Sequence, residues 1–284
     1  MQSSTEDLGT GTYTVMTQIA ADALGYAPAM VRFELGNTDF PEAPISAGSM
    51  TVESVGAAVH ACCLQARERL IELACADRLS PLCGTDRTDI VVEDGWLRQA
   101  DGQRMEPVAA VIARSSGHRV EAEAQSAAGA ETKHYSMHTF GAVFTEVHID
   151  PDLGLIRVPR VVGIYGVGRV MNAKTAHSQL MGAIVWGISQ ALFEDSMLDA
   201  RDGRFVNANL AEYHIPVNAD IGEIEVLFVP EEDSQVNALG AKGIGEVGMT
   251  GVAGALANAV FHATGKRIRS LPITLDKVLG PVER

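Results

Sequence analysis

The sequence has few cysteines, and their positions exclude the usual protein-ligated metal and redox centres. Only four occur, at Cys62, Cys63, Cys75 and Cys83, and none forms a Cys-x-x-Cys pair or lies near a cluster of histidines. Iron–sulfur and zinc sites need closer groupings of ligands. We therefore expect the cysteines to be small buried residues in a reducing cytoplasm, with any iron–sulfur centre on another chain.

Basic residues are also scarce. The 22 Lys and Arg face 36 Asp and Glu, which gives a formal net charge of -14. Because nucleic acids and anionic membranes are bound through Lys and Arg, neither is expected as a partner. No apolar run reaches the length of about 18 residues that a membrane helix needs. Residues 1–7 are polar and lack the features of a secretory signal, so a cytoplasmic location is expected, with export alongside a partner left open.

Two common catalytic signatures are absent as well. His134 and His138 have the i, i+4 spacing of a zinc helix, but no Glu follows the first and no third ligand is evident. No serine stands in a nucleophile elbow. The chain's own side chains therefore predict neither a metal hydrolase nor a serine hydrolase.

The apolar pattern predicts an α+β protein in which hairpins pack on long helices, in two subdomains, 1–136 and 137–284. A weakly patterned polar stretch, 115–136, separates them. Expected helices are 13–24, 51–76, 108–113, 175–198 and 247–264. Expected strands are 30–35, 90–92, 95–97, 141–149, 155–162 and 224–229.

Residues 240–246 (GAKGIGE) are the strongest local signal, and they fall in the second subdomain. Three glycines allow the main chain to approach a bulky group, and the helix start that follows favours an anion. Glu246 would lie in the first helical turn. From local sequence alone, a flexible loop with an exposed, dipole-favoured Glu246 is the more ordinary interpretation.

Three further segments are weaker signals. Residues 8–14 (LGTGTYT) combine a Gly-x-Gly turn with a helix start, and residues 45–51 (ISAGSMT) are a loop of small residues entering a helix. Gln179 lies early in a predicted helix. Each has an ordinary structural explanation, as a tight turn, a helix cap and a surface side chain, respectively.

Taken together, these segments form an ordered set. It comprises 8–14, 44–51, 146–154 (EVHIDPDLG), 168–172 (GRVMN), 179–182 (QLMG), 207–216, 240–246 and 271–274. In order and spacing the set resembles the large molybdopterin-binding subunit of the xanthine dehydrogenase/aldehyde oxidase family over nearly the whole chain. One such motif would be weak, whereas the ordered set is highly specific.

The resemblance implies roles for individual residues. Glu246 would lie next to molybdenum as the base of a hydroxylating dehydrogenase that takes its oxygen from water. The implied cofactor-binding residues are Gly9, Thr10, Gly11, Ala47, Gly48, Ser49, Gln179, Lys242 and Gly243. Within that set, the turn at residues 9–11 would hold the pterin, residues 47–49 would pack beside its dithiolene and phosphate side, and Gln179 would bind its polar groups.

The resemblance also implies cofactors and partners. Molybdopterin with its molybdenum would bind here, with the cytosine dinucleotide form left open, and [2Fe–2S] and FAD would lie on partner chains. The match begins at the family's second molybdenum domain, so another chain would supply the N-terminal half. The enzyme would then be active only when assembled. Its small-molecule substrate would be an aldehyde or, as second choice, an N-heteroaromatic compound.

Two other interpretations stay open at this point. The chain could be a truncated, cofactor-free structural or interaction protein. It could also be a nucleotide-binding α/β protein that uses residues 240–245 as a phosphate loop. The absence of a Gly-Lys-Ser/Thr run and of a surrounding β-α-β pattern disfavours the nucleotide-binding interpretation.

Overall fold

The computed structural model describes residues 1–127 and 129–280. Contacts between α-carbons divide the chain into two compact units. The first comprises Met1–Met137 and Asp233–Lys242, and the second comprises His138–Glu232 and Gly243–Arg284. The sequence interpretation assigned all of residues 240–246 to the second subdomain. In the structure this loop begins in the first unit and ends in the second, because the irregular segment Asp233–Lys242 returns to the first unit.

The described residues form helices and strands in similar number, which confirms the α+β class. The helices are α1 (Thr12–Leu24), α2 (Ala57–Ala76), α3 (Val108–Arg114), α4 (Ala173–Leu192), α5 (Val247–Thr250), α6 (Val252–Thr264) and α7 (Leu275–Leu279). The strands are β1 (Gln2–Ser3), β2 (Glu34–Leu35), β3 (Ile90–Glu93), β4 (Trp96–Gln99), β5 (Met105–Pro107), β6 (Phe140–Ile149), β7 (Ile156–Gly166), β8 (Leu198–Asp199), β9 (Arg204–Phe205) and β10 (Glu223–Phe228).

The first unit packs helices on a small antiparallel sheet in the order β3-β4-β5. Ile90 and Val92 alternate with exposed neighbours, and their buried side chains join those of α2 and α3. Strands β3 and β4 are joined at Asp94 and Gly95, which have φ of 48° and 76°. Two positive φ values in a two-residue connection suit the right-handed twist of a hairpin, and Asp-Gly favours them. The expected strands 90–92 and 95–97 left residues 93–94 as the connection; the structure confirms the hairpin with its turn at residues 94–95.

The second unit is built on a three-stranded sheet in the order β10-β7-β6. Strands β6 and β7 form the antiparallel hairpin predicted from residues 141–162, and β10 pairs with β7 in parallel. Helices α4 and α6 bury their apolar faces in the core of this unit. They come close at Gly187, where a Cβ would lie 2.5 Å from the Cβ of Val252. Only glycine allows this close approach.

Several element boundaries differ from the sequence prediction. Helix α4 ends at Leu192 rather than at residue 198, because Leu198 belongs to the β8–β9 hairpin. A five-residue π-helix, Val52–Gly56, precedes α2, and Gly251 separates α5 from α6. The strand predicted at 30–35 is only Glu34–Leu35, which pairs with β1. Short elements such as β5 and α7 lack enough periodicity to be detected.

The close approach of Gly25 to strand β3 can be tested by substitution. It ends α1 with φ of 71°, and a Cβ there would lie 2.2 Å from the main-chain oxygen of Val92. We expect Gly25→Ala to destabilise the protein by about 3 kcal/mol, through a left-handed penalty of about 1 to 2 kcal/mol and an added steric clash. Urea unfolding followed by the fluorescence of Trp96 in a Trp186→Phe background would measure this.

Gly84 provides the matched control. It also has a positive φ, of 74°, but a Cβ there would meet nothing within 4 Å. Gly84→Ala should therefore cost only the conformational penalty of about 1 kcal/mol. Equal losses for the two variants would contradict a steric contribution from Val92.

Candidate functional site

The turn at residues 9–11 lies at the start of α1 in the first unit. The carboxylate of Asp7 accepts hydrogen bonds from the main-chain N–H groups of Gly9 at 2.9 Å, Gly11 at 3.2 Å and Tyr13 at 3.2 Å. Burial alone would raise the pKa of Asp7, but these hydrogen bonds outweigh it and lower the pKa. Asp7 therefore satisfies the donors that begin the helix.

The same turn keeps an open side. Gly9 and Thr10 are exposed, and a Cβ at Gly9 would meet nothing within 4 Å. The hydroxyls of Thr10 and Thr12 lie 3.0 Å apart, and either can donate to the other. A ligand at this turn would therefore meet the Thr10 hydroxyl and exposed main chain rather than the amides that Asp7 already binds.

Asp7 predicts a pH-dependent contribution to stability. Asp7→Ala should lower the free energy of unfolding by about 1 to 2 kcal/mol at pH 7, because the first-turn donors lose their acceptor. Since the folded-state pKa is lowered, the contribution is present above the unfolded pKa of about 3.9 and is lost as pH falls through the folded value. In urea titrations the two proteins should converge in stability once the pH has fallen below the folded-state pKa of Asp7. Exposed Glu6→Ala is the control, and a pH-independent difference for Asp7→Ala would contradict the assignment.

The loop 45–51 has unusual main-chain geometry. Gly48 and Ser49 both have φ of 60°, a region that costs Ser49 energy as a non-glycine residue. Ala47 and Gly48 are exposed. The hydroxyl oxygen of Ser46 is buried and has no hydrogen-bond partner among the described residues. A buried hydroxyl without a partner is costly, and a polar ligand at this loop would relieve that cost.

In the second unit, Asn172 begins α4. Its side-chain oxygen accepts a hydrogen bond of 2.9 Å from the N–H of Thr175, which makes it the helix cap. Gln179 follows in the second turn, where it is half-buried beside the fully buried Leu180. The N–H of Gly168, earlier in the same segment, donates to the Glu231 carboxylate at 2.8 Å. Part of the 168–172 motif thus has a structural role.

Lys242 is buried in the first unit. Its ammonium lies 2.9 Å from a carboxylate oxygen of Asp233, and the two side chains are 6% and 17% exposed. The hydrogen bond from Lys242 is the main cause of the lowered pKa of Asp233. The other oxygen of Asp233 accepts from the N–H groups of Gln235 and Val236. This ion pair joins the two ends of the segment Asp233–Lys242.

Asn237 stabilises the same segment through hydrogen bonds to its main chain. Its amide nitrogen donates to the carbonyl of Ala241 at 2.7 Å, and its side-chain oxygen accepts from the N–H of Leu239 at 3.0 Å. The N–H of Gly240 donates to the carbonyl of Asn237 at 3.0 Å. The segment that leads into residues 243–246 is therefore held by its own side chains.

Glu246 directly precedes α5 in the second unit and is exposed, whereas the sequence placed it inside the first turn. Its carbonyl accepts from the N–H of Met249 at 3.2 Å. The hydroxyl of buried Tyr165 donates to the carbonyl of Gly248 at 3.1 Å, and burial raises the pKa of Tyr165 to about 12. A neutral phenol thus anchors the short helix next to Glu246.

The predicted site residues are divided between the two units. The first unit contains Gly9, Thr10, Gly11, Ala47, Gly48, Ser49 and Lys242, and the second contains Gln179, Gly243 and Glu246. Sequence reasoning missed Asp7, Ser46 and Asp233. An acid shortly before a helix start is a recognisable capping signal, so Asp7 could have been found. Nothing in the local sequence links Asp233 to Lys242.

Two other kinds of site are absent from the described ranges, 1–127 and 129–280. Within them, no group of three or more His, Cys, Asp and Glu side chains could hold a metal ion. No helix there combines the length and apolar character needed to cross a membrane.

Comparison with known proteins identifies similar chains. Residues 1–222 match the family model described as a molybdopterin cofactor-binding domain. The molybdenum-binding subunit PaoC of the aldehyde oxidoreductase of Escherichia coli K12 is 37% identical over 273 residues, which cover 96% of this chain and 35% of that subunit. The xanthine dehydrogenase molybdenum-binding subunit of Escherichia coli O157:H7 is 27% identical, over 96% of this chain and 36% of that subunit.

Among solved structures, quinoline 2-oxidoreductase from Pseudomonas putida 86 superposes with a TM-score of 0.83 at 26% identity. The match covers 98% of this chain and 36% of that one. The aldehyde oxidoreductase of Desulfovibrio gigas shares the fold, with a TM-score of 0.71. The chain spans about a third of the length of the relatives it matches.

Proposed function

The chain belongs to the molybdopterin cofactor-binding domain family, and we propose that it supplies cofactor-binding residues and the catalytic base of a hydroxylating oxidoreductase. The family match confirms the resemblance drawn from the ordered motifs. The observation that carries the proposed activity is the 37% identity with the PaoC subunit over 96% of this chain. Aldehydes are the proposed substrates, and carbon atoms of N-heteroaromatic rings are the second choice.

The residues of the first unit suit a polar, anionic cofactor. The buried Ser46 hydroxyl lacks a partner among the described residues, and Gly48 and Ser49 leave an irregular, accessible main chain. The turn at residues 9–11 offers the Thr10 hydroxyl and open space at Gly9. We propose that these two loops contact the molybdopterin. Lys242, which is engaged with Asp233, would act mainly by shaping the loop.

The residues of the second unit have their own proposed roles. When bound, the molybdenum cofactor supplies the two-electron redox chemistry, and the protein contributes binding, orientation and proton transfer. Gln179, half-buried on α4, can donate and accept hydrogen bonds through its amide. Glu246 carries an exposed carboxylate that can accept a proton during the reaction. Gly243 would allow close approach of the main chain.

We further propose that the active enzyme is an assembly. The relatives are named as molybdenum-binding subunits, and this chain corresponds to about a third of their length. The remaining polypeptide would provide the other part of the cofactor pocket. A [2Fe–2S] subunit and an FAD subunit would carry electrons away, and the pterin would take the cytosine dinucleotide form.

Assembly predicts a sharp dependence of activity on partner chains. The isolated chain should show no dye-linked oxidation of aldehydes, because it provides only part of the pocket. The chain purified with its partner polypeptides should contain about one molybdenum per assembly by mass spectrometry and oxidise aldehydes. Full activity of the isolated chain would contradict the proposal. An assembled protein without molybdenum would instead support the interpretation as a cofactor-free interaction chain.

A further inference from the structure

The first unit contains a cleft that the proposed cofactor residues do not line. Its volume is about 960 Å³. The walls come from β1, from residues 41–44 and from the segment 120–126, and the floor comes from the π-helix and α2. Every lining residue belongs to the first unit.

Residues 120–126 show the alternating burial of a strand, although they are not part of any strand of the structure. Val120, Ala122 and Ala124 are half-buried, and they alternate with exposed Glu121, Glu123 and Gln125. Within the described ranges, no main-chain hydrogen bond joins this segment to another main-chain segment. The carbonyls of Glu121 and Ala122 accept only from the side chains of Arg69 and Cys62. The Cys62 sulfur also meets the N–H of Ala124. Because its main chain pairs with no other strand, the segment can act as a template for strand pairing through its remaining N–H and C=O groups.

The opposite wall and the floor are equally suited to a strand. Among the described residues, β1 has one strand partner, β2, and its Gln2 and Ser3 line the cleft. Directly after β1, the N–H of Ser4 donates to the carbonyl of Pro41 at 2.9 Å. Along the floor, Val55, Ala58, Val59, Cys62 and Ala66 recur at the three- and four-residue intervals that place them on one helical face. Their side chains are small, so an extended chain could pack directly on the helix.

We propose that this cleft is a docking groove for one β-strand from the remaining polypeptide of the molybdenum-binding subunit, which would pair with residues 120–126 and with β1. This proposal names where a partner binds, and therefore rests on the proposed function. It would join this chain to its partner by main-chain hydrogen bonds, with α2 providing the apolar contact.

The size of the cleft matches one strand. Adjacent strands lie about 4.8 Å apart and packed layers about 10 Å apart, so a single strand occupies a cross-section of about 48 Å². A volume of about 960 Å³ then corresponds to roughly 20 Å of strand, or about six residues. This is the usual length of a strand in a globular protein.

Side-chain character further restricts the occupant. Residues that point towards the floor should be apolar and of modest size, since Ala58, Cys62 and Ala66 leave room beside buried Val59. At the rim, exposed Glu42, Glu121 and Glu123 outnumber Arg32, which pairs with Glu34. The outward residues of the incoming strand should therefore be neutral or basic.

A peptide can test the groove without cofactor, activity or partner subunit. The probe is an acetylated, amidated hexapeptide that alternates Val with Thr or Lys. At millimolar concentration it should slow amide hydrogen exchange at least tenfold in residues 120–126 and at Gln2 of the full chain. The same peptide N-methylated at alternate residues keeps its side chains but loses main-chain donors, and it should give no protection.

Two variants test whether the peptide protects these amides by binding in the cleft. Ala66→Trp fills the floor of the cleft and should abolish the protection, whereas Gln65→Trp, on the exposed neighbour, should leave it intact. Unchanged thermal unfolding without peptide would verify that both variants fold.

Three results would overturn the proposal: no protection at millimolar peptide, equal protection by the N-methylated peptide, or protection that arises without peptide through self-association of the chain. A failed peptide test together with molybdenum in the assembled enzyme would refute the groove and leave the proposed function standing. Protection by the peptide together with an assembled enzyme that lacks molybdenum would refute the proposed function alone.

Discussion

Glu246→Gln is expected to lower the turnover of the assembled enzyme by about 10²- to 10⁴-fold, the contribution that general base catalysis typically makes. Glutamine matches glutamate in size and keeps a hydrogen-bond acceptor, but it cannot take up a proton at working pH. The side chain is exposed and directly precedes the short helix α5, so the substitution should not disturb folding. Molybdenum content should therefore stay close to that of the unsubstituted enzyme.

The control for this experiment is Glu232→Gln. Glu232 is also exposed and belongs to the same unit, but it lies outside the proposed site. Turnover should be unchanged in this variant. Steady-state kinetics and metal analysis on the same preparations separate loss of the base from loss of the cofactor. Turnover of Glu246→Gln within a few-fold of normal would remove Glu246 from the mechanism, and a parallel loss of molybdenum would indicate a structural role instead.

The features that could be predicted from the sequence are those encoded by neighbouring residues. Helix α1 with its Gly25 end and the β6–β7 hairpin each carry their periodicity and their turn signal within one segment. Elements that depend on distant residues could not be predicted. Strand β1 exists because it pairs with β2, about thirty positions away, and two residues carry no detectable pattern. The overextension of α4 arose because apolar Leu198, in a hairpin, fits helical spacing by chance.

The same distinction between local and distant information applies to the candidate site. The ordered motifs identified the family, because a set of short matches in fixed order carries more information than any one of them. The contacts that individual residues make could be assigned only from the structure. Asp7 binds the amides of Gly9 and Gly11, which the motif alone would assign to a ligand. The Lys242 ammonium meets Asp233, a contact between residues nine positions apart in an irregular segment that no periodicity reveals.

Asp233→Ala is expected to destabilise the first unit by about 3 to 5 kcal/mol, because it removes the carboxylate that lies 2.9 Å from the buried Lys242 ammonium. It also removes the acceptor for the N–H groups of Gln235 and Val236. Lys242→Met should cost less, about 1 to 2 kcal/mol, since it keeps the length of the side chain and leaves a carboxylate that still has those main-chain donors. Urea unfolding read from Trp96 in the Trp186→Phe background reports on the first unit.

The double variant decides whether the ion pair itself is responsible. If Asp233 and Lys242 stabilise the fold mainly through each other, the combined loss should fall short of the sum of the single losses by at least about 2 kcal/mol. Additive losses would show that the two side chains act independently. The ion pair closes the segment that leads into residues 243–246. The amide hydrogens of residues 238–242 should therefore exchange faster in Asp233→Ala under native conditions. Unchanged exchange there would show that the ion pair contributes to global stability but does not order this segment.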